Sequence, residues 1–211
     1  LGSKVLQMRS VEFAGKYKVK LRVLSSLEEE GQETAGTLIT FEEDTTMEQP
    51  IISGIAFNRD EAKLTVSGVP DRPGIAYQIL GPIADANIDV DMIIQNVGHD
   101  GSTDFSFTVN RSEYARAKKM LEEQIKPHVG ALNIDGDNKI CKVSAVGVGM
   151  RSHPGVASKM FRTLAEEGIN IQMISTSEIK ISVLVARDAA QEALRAVHRE
   201  FKLDTAQATP V

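Results

Sequence analysis

The 211-residue chain is predicted to be an α+β protein made of two tandem ferredoxin-like modules, each of order βαββαβ, with antiparallel sheets and both helices on one sheet face. Three observations predict this. Asp71-Arg72-Pro73-Gly74 and Ser152-His153-Pro154-Gly155 each join a strand-like stretch to a helix-like one, with the glycines 81 residues apart. Ala76/Ala157, Ile79/Met160, Leu80/Phe161, Ile83/Leu164 and Met92/Met173 keep that offset. In the first copy Ala76, Ile79, Leu80 and Ile83 stand at i, i+3, i+4 and i+7, one apolar stripe able to lie on a sheet. Farther on, Val109/Val185 and Arg111/Arg187 are 76 apart, so the first copy holds five extra residues, expected in the polar hairpin loop 98–102.

The first module is predicted over 62–135: strand 63–69, helix 74–86, strands 89–97 and 104–110, helix 112–126 with Ser112 as N-cap, and strand 132–134. The second repeats the order as 141–148, 155–167, 170–176, 180–186 and 188–201. Only 203–211 then remains for a fourth strand, and its Ala-Gln-Ala-Thr-Pro run is poor strand sequence. Residues 51–58 are good strand sequence and are expected to supply the missing strand, so that module two comprises 50–61 plus 136–211 with module one inserted into it. The lead-in, 1–49, has no repeat partner. It is read as a helix capped by Ser3 and running through Phe13, strands 18–24 and 37–41, a solvated acidic loop 28–32 and a polar linker 42–49.

A hydrophobic share of 42% fits globular protein, and the length allows two modest domains. A net charge of −5, with aromatics at 5% and no Trp, argues against a nucleic-acid surface, which needs a basic stripe and stacking platforms. Small polar ligands or protein partners fit better. The single cysteine, Cys141, has no partner for an internal disulfide, which points to a reducing, cytoplasmic compartment. No apolar run has membrane-spanning length and no signal peptide is visible. Leu1 opens in mid-pattern, which suggests an incomplete polypeptide.

Chemistry is expected where strand hands over to helix. Pro73 presets the first turn and Gly74 removes a side chain, so a ligand can approach bare backbone. The N–H groups of a helix start favour an anion such as an amino acid's carboxylate. Asp71, Asp89, Asp91 and Gln95 offer acceptors for its ammonium from the same sheet edge, although a tight connection and a solvated strand face account for the same residues. The second copy offers Ser152, His153, Gly155, Val156 and Ala157 at its helix start, with Asn170, Gln172, Ser175, Ser177 and Glu178 on or beyond its second strand. Ser175 to Ser177 also suit a turn that satisfies its own backbone. Glu178 is the sharper candidate, a carboxylate able to hold a cationic side chain. His99, His128, His153 and His198 are scattered without metal-ligand spacing, no nucleophile–base pair is recognisable, and no phosphate loop is present. No catalytic residue and no metal are therefore expected.

Thr65 to Gly68, Asp71-Arg72-Pro73-Gly74, Asp91-Met92-Ile93-Ile94-Gln95-Asn96-Val97, Ser152-His153-Pro154-Gly155-Val156 and Ile174-Ser175-Thr176-Ser177-Glu178-Ile179 resemble the tandem ACT modules of aspartate kinase. Gly2-Ser3-Lys4-Val5-Leu6-Gln7, Arg9 and Gly36-Thr37-Leu38-Ile39 are similar to the end of that family's kinase domain. The resemblance implies allosteric binding of end-product amino acids, lysine and/or threonine, that inhibit formation of aspartyl phosphate, the first step toward lysine, threonine and methionine. The family's Lys-Phe-Gly-Gly-Thr-Ser-type segment and nucleotide loops are missing, so the kinase domain with its ATP and Mg is absent and this chain is expected to be inactive alone. Carried over, effector contacts fall on Asp71, Gly74, Ile75, Ala76, Asp91, Gln95 and Asn96, and on Val156, Ala157, Asn170, Ile171, Ser177 and Glu178. The implied partners are amino acids, a second copy through the ACT modules, or a kinase-bearing subunit in a heterotetramer. A stand-alone amino-acid sensor acting on another protein is the alternative.

Overall fold

The computed structural model describes residues 5–27, 36–39, 51–147 and 153–204. The chain forms two units, 2–49 and 50–211. In the smaller unit, helix α1 (Met8–Lys16) is capped by Gln7, whose Oε1 accepts from the N–H of Arg9 at 2.7 Å and of Ser10 at 3.4 Å. The predicted cap Ser3 lies outside the described residues. Strands β1 (Leu21–Val23) and β2 (Thr37–Ile39) pair antiparallel. β1 is shorter than expected because Lys18 adopts a left-handed φ of 54° and ends the extended run.

The larger unit holds two four-stranded antiparallel sheets. One has the order β5-β6-β4-β7, from β4 (Glu61–Pro70), β5 (Val90–Val97), β6 (Ser102–Asn110) and β7 (Asn133–Asp137). The other is β3-β8-β10-β9, from β3 (Gly54–Asn58), β8 (Ile140–Val146), β9 (Met173–Thr176) and β10 (Lys180–Ala186). The strand preceding the first module thus pairs with β8, with Phe57 opposite Val143.

Alternation sorts the strand residues. Leu64, Val66, Phe105 and Phe107 turn to one face and meet Ile75, Ile79 and Ile83 of α2 (Ile75–Asp85). Val143, Ala145, Val183 and Val185 likewise meet Val156, Met160 and Leu164 of α5 (Val156–Glu166) and Ala193 and Val197 of α6 (Ala190–Glu200). A third cluster, Met92, Ile140, Met173 and Leu184, joins the helix-free faces of the two sheets.

The helix predicted over 112–126 is interrupted. Asn110, not Ser112, caps it: Asn110 Oδ1 accepts from the Ser112 N–H at 3.0 Å. A 3-10 turn (Arg111–Glu113), α3 (Tyr114–Met120), a π stretch (Leu121–Ile125) and α4 (Lys126–Val129) follow. Pro127 is the physical reason, because it has no N–H to donate and its ring crowds the preceding turn, which widens. The five extra residues of the first copy fall at 98–102 as expected, with Ser102 already in β6 and the Gly98 N–H donating to Ser102 O at 2.7 Å. Residues 97–103 stand where the second copy has 178–179, so the Val97–Thr103 pair lengthens both strands and only the tip is loop. β9 is shorter than the predicted 170–176, and residues 205–211 lie outside the described set.

Candidate functional site

The end of β4 leads through Asp71 and Arg72 into α2. Gly74 takes a left-handed φ of 89° and Gly155, before α5, one of 96°. Among the described residues, chain neighbours aside, no atom stands within 4 Å of where a Cβ would sit at either glycine. Ile75 and Val156 are buried in the two cores, which anchors each first turn from below and leaves its backbone to face outward. A helix start presents N–H groups without intrahelical partners.

The sheet brings Asp71, Gln95 and Asn96 to the same end as this helix start. Val97 pairs with Thr103, and Thr103 in turn with Val69, so β4 and β5 end level with each other on either side of the start of β6. The Asp71 N–H donates to Gly101 O at 3.0 Å, placing the tip of loop 98–102 beside it. Asp71, Gln95 and Asn96 are exposed, Ala76 is half-buried, and the Asn96 carbonyl accepts from Thr103 Oγ1 at 2.8 Å. Asp91 is not brought to this end. It lies four residues back on β5, about 13 Å along an extended strand, and its carboxylate accepts from Lys142 Nζ of the second module.

In the second module, β8 and β9 likewise end on either side of the start of β10, and Gly147 N–H donates to Ile179 O at 2.9 Å. Ser177 and Glu178 are exposed in the hairpin. The Ser177 N–H donates to Lys180 O at 2.7 Å, and its hydroxyl to the same oxygen at 3.4 Å. Ala157 packs on the second core. Asn170 and Ile171 flank β9 at its opposite end; Asn170 is exposed, while Ile171 lines a cleft against the first module, together with Asn96. Ser152 lies outside the described residues.

Between the modules, β4 runs against β8 and β5 against β9. Lys63 and Lys142 hold the same place in their sheets: Lys63 is opposite Thr108, Lys142 opposite Leu184, and those two keep the 76-residue offset. Asp91 and Gln172 are 81 apart and likewise equivalent. The seam therefore makes one crossing twice, in opposite directions. Lys142 Nζ donates to Asp91 and also to Glu61, while Lys63 Nζ donates to Gln172 Oε1 at 2.9 Å. Burial pushes the Asp91 carboxyl up, but the Lys142 hydrogen bond and charge outweigh it and the net shift is below 3.8. Burial pulls Lys142 down, and its bonds to Asp91 and Glu61 hold it above 10.5 instead. Next to it, burial pushes the Cys141 thiol up to about 11. Sequence reasoning passed over Glu61, Lys63 and Lys142. The available clue was a lysine inside the run 140–146, which is apolar apart from it and Ser144.

Among the described residues no group of three or more His, Cys, Asp or Glu is placed to hold a metal ion, and no helix is long and apolar enough to cross a membrane.

The ACT domain family matches residues 64–126 and, in a second form, 143–201. Fold and site thus define a protein with paired ACT domains. Aspartate kinase of Pseudomonas fluorescens SBW25 is 64% identical over 204 residues, covering 97% of this chain and 48% of the relative. A crystal structure of aspartokinase alpha and beta subunits is 61% identical over 71% of this chain and 98% of that one, with a TM-score of 0.67. The ligand-free regulatory subunit of aspartate kinase from Thermus thermophilus is 40% identical over 72% and 99%, with a TM-score of 0.68. The chain belongs to the aspartate kinase family, as its ACT-domain regulatory region. It spans about half the length of the curated relatives it matches.

Proposed function

We propose that the chain binds end-product amino acids, lysine and/or threonine, and transmits feedback inhibition to aspartate phosphorylation carried out by a kinase domain outside it. The observation that carries this reading is the duplicated helix start. Backbone at Gly74–Ala76 can take a ligand carboxylate, with Asp71 and Gln95 beside it for the ammonium, while Asn96, next along β5, reaches the set from the cleft against the second module. The second half-site uses Val156 and Ala157 in the same way, with Ser177 and Glu178 at the hairpin and Asn170 and Ile171 at the far end of β9. Asp91 belongs to the set as the group linking the first half-site to the second module. ATP and Mg are proposed for the kinase domain only.

The ligand must favour one arrangement of the modules over another, because only that difference shifts a kinase toward inactivity. Assembly through the ACT modules, as a homodimer or as a heterotetramer with a kinase-bearing subunit, is supported by the alpha and beta subunits of the related structure. The pairing of β3 with β8 supports a first module, 62–135, inserted into a second built from 50–61 plus 136–211. The single buried cysteine supports a cytoplasmic setting.

Thermal melting tests the reading. Threonine or lysine at millimolar concentration is expected to raise the melting temperature, and Gln95→Ala or Glu178→Ala to reduce that rise. An unchanged rise in both variants rejects this placement of the site.

A further inference from the structure

The repeat allows one half of the seam to be compared with the other. Lys142 is neutralised by two carboxylates, Asp91 and Glu61. At the equivalent place Lys63 has neither: the counterpart of Asp91 is Gln172, and that of Glu61, in the register that equates the two lysines, is Ile140. Gln172 is a neutral acceptor and takes one of the three ammonium N–H groups. Asp137 lies cross-strand from Lys63, but its carboxylate accepts from Gln172 Nε2 at 3.4 Å and from the Lys139 N–H at 2.8 Å. Lys63 opens on the intermodule cleft of about 330 Å³, walled by Ile94, Met173 and Ile174, with the Asn96 and Gln172 amides and the Ser106 hydroxyl as its other polar groups. That is room for a small organic molecule rather than for one water. A half-buried ammonium lacking an acidic partner draws an anion.

We propose that this cleft binds a small monocarboxylate with a short branched apolar body, its carboxylate supplying to Lys63, from the cleft side, the negative charge that Asp91 and Glu61 supply to Lys142. Among the described residues no carboxylate lines the cleft, so an α-ammonium has no acidic partner there. The ligand class is therefore a simple or 2-oxo acid, not an amino acid. The site goes beyond the effector reading: it shares Asn96 and Ile171 with the proposed contacts but includes neither helix start.

The test is methyl NMR on the full chain with ¹³C-methyl methionine, titrated with 3-methylbutanoate and separately with its uncharged isostere 3-methylbutanamide. The Met173 methyl is expected to shift and saturate with the carboxylate and to stay in place with the amide. Lys63→Met should weaken binding by about tenfold or more, and Lys63→Arg, which keeps the charge, should restore most of it. The melting shift with threonine and lysine should survive in Lys63→Met, which separates this site from the effector site. Equal responses to acid and amide, a Met173 shift that never saturates, or equal affinity in Lys63→Met and the parent overturns the proposal.

Discussion

Met92 and Met173, one repeat length apart in sequence, meet in a single buried cluster between the two sheets. The same position in each copy therefore falls in one shared cluster, the signature of an internal two-fold. Truncating either to alanine removes a buried side chain that the rigid sheets on both sides cannot replace. Each single variant is expected to lose about 2–5 kcal/mol. Because they share one cavity, the double variant should depart from the sum by about 0.5–3 kcal/mol. Urea denaturation of the two single variants and the double one measures both quantities.

The seam also sets a pH window. Asp91 titrates below its ordinary 3.8 in the folded chain, so its contribution is present above 3.8 and is lost as pH falls through the lower folded value. Lys142 titrates above 10.5, so its contribution is complete below 10.5 and is lost as pH rises beyond it. Denaturant midpoints are expected to hold steady between those limits and to fall outside them. Asp91→Asn should flatten the acid limb.

Gly74 and Gly155 separate backbone strain from ligand contact. Among the described residues nothing beyond the chain neighbours stands near a Cβ added at either, so alanine is expected to cost only the left-handed backbone, about 1 kcal/mol. The added methyl projects into the space assigned to the ligand. Affinity for threonine or lysine is thus expected to fall in Gly74→Ala or Gly155→Ala by more than the stability change explains, as read by titration beside denaturant melts.

Cys141 should be inert while the chain is folded. Its thiol is buried and pushed up to about 11, so the reactive thiolate is scarce at neutral pH. A chromogenic disulfide reagent is expected to react at the rate of unfolding in buffer and immediately in denaturant. Fast reaction of the native chain contradicts the packing around β8.

Much of the fold was legible because it is periodic. The stripe at Ala76, Ile79, Leu80 and Ile83 and the doubled Pro-Gly encode helix and turn locally, and the offset between copies exposes the repeat. The π stretch before Pro127 was less legible, since periodicity says where a helix lies but not how it absorbs a proline. The site divided in the same way. Gly74 and Gly155 declare themselves through the backbone they need, whereas the crossings from Lys63 to Gln172 and from Lys142 to Asp91 join residues 109 and 51 positions apart. Such pairings depend on how two sheets pack, which no local pattern records. Asp91 shows the limit most clearly: its strand was read correctly, and its partner on another module was not.

Calorimetric titration with lysine and threonine, alone and together, tests the proposal that this chain is an amino-acid sensor. Saturable heat with at least one of them at millimolar concentration or below, reduced in Glu178→Ala or Gln95→Ala, is the expected result. No heat with either amino acid, alone or in combination, contradicts the account.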